Sequence, residues 1–506
     1  TGFISGNLSS PVVISNKGGS GNTVLNSGAI NDVTSVSVVS DADVRNNSVA
    51  ATISNVSGGT VISGAGTTVS NYGQGSAVSG VAGPVSVADG ASVTNAGTGA
   101  TIYKTTGSGG VTVSNAYVGN TGGGVAIYSS QPVTLENNAK VLGGLSGLGN
   151  KVITGPVSVD GGSNSAVLGA SNLTVQGTAL PSETWITNNS ALNATISGTT
   201  GSVYIGTTVA DGAMVVNSHG GGAAIQGTGV DVMVGGGGAA SVALGGRGIV
   251  NTGRDVEIAA KSAVTGSSGD AIYQTGRDVT VNGTAMSTGG IAINSTGRNV
   301  TVGNNAMVSG DKGGISGTGG YVLIGSGATV RGGTGTAVTG TTGNVIVNPT
   351  NASTVTITGA TGIDGTGGDV LLKKTNLTAV NNGIEDTTGN IDVADSTVTS
   401  QNGTAIAHTT GTGGVTVRNS TITGRSGGIA DTSGSVGILG ASAVTASAGL
   451  AIANTYGSVQ IGDGTGNVSI GGTLGIYNTY GNLTVNGNGT ATTTITGTAG
   501  PAIMAV

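Results

Sequence analysis

A ten-residue phrase, apolar-x-x-Thr-x-x-x-apolar-x-apolar, recurs through residues 196–506. Ile272 to Val281 (IYQTGRDVTV) and Ile384 to Val393 (IEDTTGNIDV) are two copies. The residues that open the phrase run from Ile196 and Ile225 to Ile452 and Ile476, with Val338 the one valine. Three residues after each opener stands a threonine: Thr199, Thr228, Thr252, Thr275, Thr296, Thr318, Thr341, Thr366, Thr387, Thr409, Thr432, Thr455 and Thr479. Self-similarity at a period between about 20 and 50 residues means a stacked array. Alternating apolar residues around a Gly-rich turn make that array a β-solenoid rather than a helical one.

Composition agrees with a narrow, repetitive core. Of 506 residues, 101 are Gly, 8% are charged and 2% are aromatic. Such a Gly content without a G-X-Y period excludes collagen and favours disorder. The 36% hydrophobic content and its strict phasing oppose disorder. The chain has no cysteine, which excludes a disulfide framework, thiolate metal sites and thiol nucleophiles. A net charge of −6 argues against nucleic acid or an anionic membrane as partner. No apolar run is long enough to insert in a membrane as a helix. Thr1 at the start, with no signal peptide after it, suggests a processed or truncated beginning.

Towards the N-terminus the expected openers are Ile4, Ile30, Ile53, Val78, Ile102, Ile127, Ile153 and Leu168. The expectation is an all-β, single-stranded parallel β-helix of about 21 coils of roughly 24 residues, on the order of 100 Å long. It is read as one continuous domain over 1–506, less regular in 1–195 and highly regular in 196–506. Each coil holds three short strands, the second exemplified by Val279-Thr280-Val281 and the third by Thr421-Ile422-Thr423. The Thr column marks a corner, where each hydroxyl is expected to bond to the coil above or below. The Gly that follows each Thr is expected to supply a positive φ there.

The phrases Asn251-Thr252-Gly253-Arg254-Asp255-Val256 and Asn26-Ser27-Gly28-Ala29-Ile30 carry a resemblance to the passenger β-helices of bacterial autotransporters and filamentous adhesins. It covers essentially the whole chain. It implies a right-handed parallel β-helix, secreted and displayed on a bacterial cell surface, that meets surface glycans or proteins. The chain departs from the family in having no recognisable membrane β-barrel or C-terminal folding cap.

Several residues could carry chemistry. Asp364 and Glu385 each follow an opener, so they stack one strand spacing apart, where like charges repel unless a proton or cation intervenes. One position on, Asp386, His408 and Asp431 form a column across three coils. The five could hold Ca²⁺ or cleave a glycoside, or could be a solvated charge column. Arg254, Arg277 and Arg298 stand beside Asp255, Asp278 and Asn299, as an ion-pair ladder or an anionic-sugar site. Leu323, Ile346 and Leu371 form an outward apolar stripe, either a lateral contact or a surface covered by the segment around Asn348-Pro349. Thr-x-Thr pairs at Thr354/Thr356, Thr397/Thr399, Thr421/Thr423 and Thr494/Thr496 resemble ice-binding arrays, interrupted here by Asn376/Thr378, Ala443/Thr445 and Asn467/Ser469. Ordinary outward β-formers are the better account of them. The Gly235–Gly238 cluster lacks the Lys and helix of a phosphate loop.

Ile4, Tyr477, Tyr480, Ile503 and Met504 are candidates for end-to-end contact, because an open β edge invites strand addition and a heterologous contact of this kind builds a filament. The functional expectation is a non-enzymatic extracellular element: a stalk, an adhesin passenger or a head-to-tail fibre subunit. The competing expectation is a glycan-binding or glycan-cleaving protein centred on the carboxylate and His cluster. An ice-binding surface is a third.

Overall fold

In the computed structural model, residues 4–5, 11–15, 23–26, 30–177, 183–206, 212–236, 239–347, 353–410, 413–487 and 490–504 are described. The chain is an all-β parallel solenoid of about 20 turns with about 23 residues per turn, built from three parallel sheets. No helix occurs among the described residues. No helix is therefore long and apolar enough to cross a membrane. The 27–29 part of the Asn26 phrase, Gly237 and Gly238, Asn348 and Pro349, and Ala505 and Val506 lie outside the described residues.

The chain forms two compact units, residues 1–254 with 261–264, and residues 255–260 with 265–506. In the second unit the first sheet stacks the openers in register: Ile272↔Ile293↔Ile315↔Val338↔Ile363↔Ile384 and on to Ile452↔Ile476↔Ile503. The second sheet stacks Val279↔Val300↔Val322↔Val345↔Val370. The third stacks Val330↔Ile357↔Leu377↔Val398↔Ile422↔Val444. Apart from Ile503, these columns are buried to within 1% of completely, so the core is a file of mostly Val and Ile side chains stacked on their equivalents one coil away. β-branched residues fit this pleated, closely spaced surface, and a narrow core leaves no room for aromatics.

The first unit has the same three sheets; Ile4, Ile30, Ile53, Val78, Ile102 and Ile127 stack as expected, and two other expected openers do not. Its first sheet runs Val78↔Ile102↔Ile127↔Leu145↔Val167↔Ile196↔Ile225↔Ile249. Ile153 therefore does not open a coil; it lies in the second sheet opposite Leu135. Leu168 points outward, 44% exposed, and its neighbour Val167 is the buried opener. The cause is one short coil. Leu145 follows Ile127 after 18 residues, because only Gly143 and Gly144 join Lys140–Leu142 to Leu145–Ser146. A period-2 pattern misread by one residue assigns the wrong face.

The corner geometry also differs from expectation. The residue with positive φ stands before the Thr, two after the opener. In the second unit it is Gln274, Ser295, Gly317, Gly340, Gly365, Asp386, His408, Asp431 and Asn454, at φ between 50° and 64°. This left-handed residue makes a bulge, so that two residues face outward between the inward opener and the inward Thr. The Gly after the Thr answers a different need. A Cβ on Gly297 would lie 2.2 Å from the carbonyl oxygen of Gly276, one coil away. Close coil-to-coil approach, not a positive φ, selects glycine there.

Candidate functional site

The carboxylate and His cluster sits at the outward bulge of the first sheet. Thr339, Asp364 and Glu385 occupy successive rungs of one column. Asp386, His408 and Asp431 occupy the left-handed bulge position, which itself favours Asp and Asn because their short polar side chains tolerate that conformation. Glu385 accepts hydrogen bonds from Thr361 Oγ1 at 3.3 Å and from Asn382 Nδ2. His408 Nδ1 lies 3.6 Å from Asp431 Oδ2, and Asn454 Nδ2 donates to Asp431 Oδ1 at 2.8 Å. Partial burial, and then the charges of Glu385 and Asp386, raise the Asp364 pKa; bonds from the Gly365 amide and the Thr339 hydroxyl oppose the rise. Among the described residues no three carboxylate or imidazole groups converge to hold a metal ion. The five residues share a face, and Asp364, Glu385, His408 and Asp431 engage residues of their own or an adjacent coil rather than a common centre.

The arginines form a ladder. Arg254 reaches Asp231 at 3.7 Å, Arg277 reaches Asp255 at 3.6 Å, and Arg298 reaches Asp278 at 3.8 Å, each on the preceding coil. Beside them runs a hydrogen-bond ladder that the sequence reading did not identify. In several coils the side-chain oxygen just before the second strand accepts the backbone N–H of the next coil. Asp255 takes Asp278 N, Asp278 takes Asn299 N and Asn299 takes Tyr321 N, each at 3.1 Å. Asn344 takes Asp369 N at 2.8 Å, and Asp369 takes Asn390 N at 2.7 Å. Its signal was present: Asn or Asp directly precedes the apolar pair in Asn299-Val300, Asn344-Val345 and Asp369-Val370.

The Thr column is in register, for example Thr296↔Thr318↔Thr341↔Thr366. Its hydroxyls do not form the expected bonds. Those of Thr252, Thr275, Thr296, Thr318, Thr341, Thr366, Thr387, Thr432 and Thr455 are buried with no hydrogen-bond partner, and Thr199 and Thr228 are the same. Thr409 differs, accepting Ser433 N at 3.2 Å. Val33, Val56 and Val81 fill the same column in the first unit. The position therefore selects a β-branched shape, and Thr supplies it as Val does.

Leu323, Ile346 and Leu371 stack as expected and are half-buried. On the third sheet, the register corrects two pairs: Thr356 and Thr358, not Thr354 and Thr356, are the outward residues of Val355–Gly359, and Ser469 and Gly471, not Asn467 and Ser469, lie between Ala443/Thr445 and Thr494/Thr496. The second outward column then carries Thr358, Thr378, Thr399, Thr423 and Thr445 without interruption. An open groove of about 690 Å³ adjoins it, between Met286 and Gln401, with Asp311 and Arg331 on its walls. Tyr480 stacks on Tyr456 with ring centroids 4.9 Å apart. Tyr477 pairs with Ala453 and Met504, and Ile503 and Met504 are 43% and 45% exposed. Ile4 pairs with Ile30.

Two buried lysines in the first unit also escaped the sequence reading. Lys104 Nζ donates to the carbonyls of Val81 and Thr106, both at 2.8 Å, and Lys151 Nζ donates to Ser129 O at 3.0 Å. Both residues are 1% exposed, and burial lowers both pKa values, that of Lys151 to about 8. Lys151 stands where neighbouring coils place Val133 and Leu173, which is why pattern alone assigned it no role.

Fold and surface together define a parallel β-solenoid whose polar groups largely serve coil-to-coil stacking. No family model, no curated protein and no solved structure matches this chain.

Proposed function

We propose that this chain is a non-enzymatic structural or adhesive β-solenoid of a bacterial surface, acting as a stalk, adhesin passenger or fibre subunit. One observation supports this most: two series of charged and polar side chains are engaged with an adjacent coil. The Arg254, Arg277 and Arg298 ladder and the Asp255, Asp278 and Asp369 amide ladder are examples. A stack joined rung by rung by backbone and side-chain bonds makes a durable spacer.

The experiment is surface labelling of intact producing cells with an antibody to the purified chain, paired with adhesion of chain-coated beads to cells. Surface signal with adhesion competed by soluble chain is the expected result. Absence of surface signal, or depolymerisation of a polysaccharide by the purified chain, would overturn the reading.

A further inference from the structure

The short coil of the first unit leaves a recess. The corner segments of the flanking coils span 96–101, 121–126 and 161–166, whereas the coil between the last two crosses the same corner with Gly143 and Gly144 alone. Thr98, Tyr103, Gly123, Tyr128, Asn164, Leu168 and their neighbours line a cavity of about 460 Å³ there. Asn164 Nδ2 spans the missing corner and donates to the Gly123 carbonyl at 3.3 Å.

The register gives the recess its shape. Tyr103↔Tyr128↔Ser146↔Leu168↔Ser197 form one outward column. Tyr103 and Tyr128 stack face to face, with centroids 5.1 Å apart and planes 15° apart. The far face of Tyr128 therefore looks along the column over Ser146, which is small and only 8% exposed, towards Leu168. Tyr128 and Leu168 are two strand spacings apart, on the order of 9–10 Å. Ser146 itself does not line the cavity, whose walls include Tyr128 and Leu168, so a puckered six-membered ring in it would meet the aromatic face and the isobutyl group.

The lining chemistry selects the ring. No lining residue is charged, which disfavours uronic or sialic acids and phosphates. The polar groups are hydroxyls of Thr98, Ser165 and Ser197 and the amides of Asn164 and Asn193. Asn193 Nδ2 is committed to Ser163 O at 3.0 Å, leaving its Oδ1 as an acceptor. An apolar slab with a few neutral hydrogen-bonding groups around it suits a ligand with C–H faces and a hydroxylated edge.

We propose that this recess binds one neutral pyranose unit of a glycan, stacked on Tyr128 beside Leu168. The inference rests on the adhesive reading only for its biological role.

The test is titration of the full chain with methyl glycosides of glucose, galactose and mannose and with N-acetylglucosamine, at millimolar concentration. Calorimetry and tyrosine fluorescence give the readouts. Saturable binding to at least one sugar, weakened at least tenfold in Ser146→Leu and retained in Tyr128→Phe, is expected. Ser146→Leu places there the side chain that Leu168 already carries one coil on, and unchanged circular dichroism checks that the fold is kept. No saturable binding by the wild-type chain, or equal binding by Ser146→Leu, overturns the proposal. Bead adhesion by the wild-type chain alongside absent sugar binding by that same chain would reject the recess while sparing the adhesive reading.

Discussion

Thr318 lies between Thr296 and Thr341 in a column where the hydroxyl is buried and unbonded. Burying a hydroxyl without a partner costs about 1–3 kcal/mol by mutational measures. Thr318→Val is therefore expected to raise stability by about 1 kcal/mol in thermal or denaturant unfolding; a loss would mean that the hydroxyl does bond. Lys151 gives a pH signature. Its pKa of about 8 is below the usual 10.5, so the unfolded chain binds more protons between those values. Stability should rise from about pH 8 to about pH 10.5 and be lowest, for this group, below pH 8. Lys151→Met should remove that rise and add about 2 kcal/mol at neutral pH, as read by Tm against pH. Asp364 has the opposite signature. Its raised pKa means that the folded chain holds the proton more tightly, so this group favours folding as pH falls from neutral towards about 4. Asp364→Asn should raise Tm at neutral pH and flatten that dependence.

At the scale of the strand and corner, the repeated phrase combines three separate requirements. Its apolar positions fill the core, the residue before the Thr forms the left-handed bulge, and the Gly after it allows the coils to approach. The apolar positions were legible because burial imposes alternation. The bulge was not, because Gln274, Ser295 and His408 stand there as well as Gly and Asn. Gly297→Ala is expected to destabilise by at least about 2 kcal/mol, since its methyl would collide with a fixed backbone oxygen rather than a movable side chain. Stacked repeats couple chiefly to nearest neighbours. Hydrogen exchange in that variant should therefore quicken first in Ile272–Thr275, Ile291–Thr296 and Gly313–Thr318, while Gly427–Thr432 and Leu450–Thr455 keep their protection. Uniform acceleration across the second unit would mean that its coils unfold as one.

For the molecule as a whole, each column of the surface is one residue position sampled once per coil. A function can therefore enter by substituting along a column or by changing the length of one corner. The carboxylate column is the first kind: Asp364 and Glu385 were placed together correctly from their phase, yet their partners proved to be Thr339, Thr361 and Asn382. The Tyr128 recess is the second kind. It arises where the Gly143–Gly144 corner is shorter than its neighbours, and that same irregularity hid Leu145 from the repeat.

The sequence by itself determined the class of fold, the three-strand coil and most of the core, because a periodic chain repeats one local solution and periodicity survives in one dimension. The tertiary structure alone decided which face Val167 and Leu168 take, which hydroxyls are satisfied, and where a recess opens. Those outcomes depend on the register between coils, and register is settled only when residues some 18 to 30 apart come into contact.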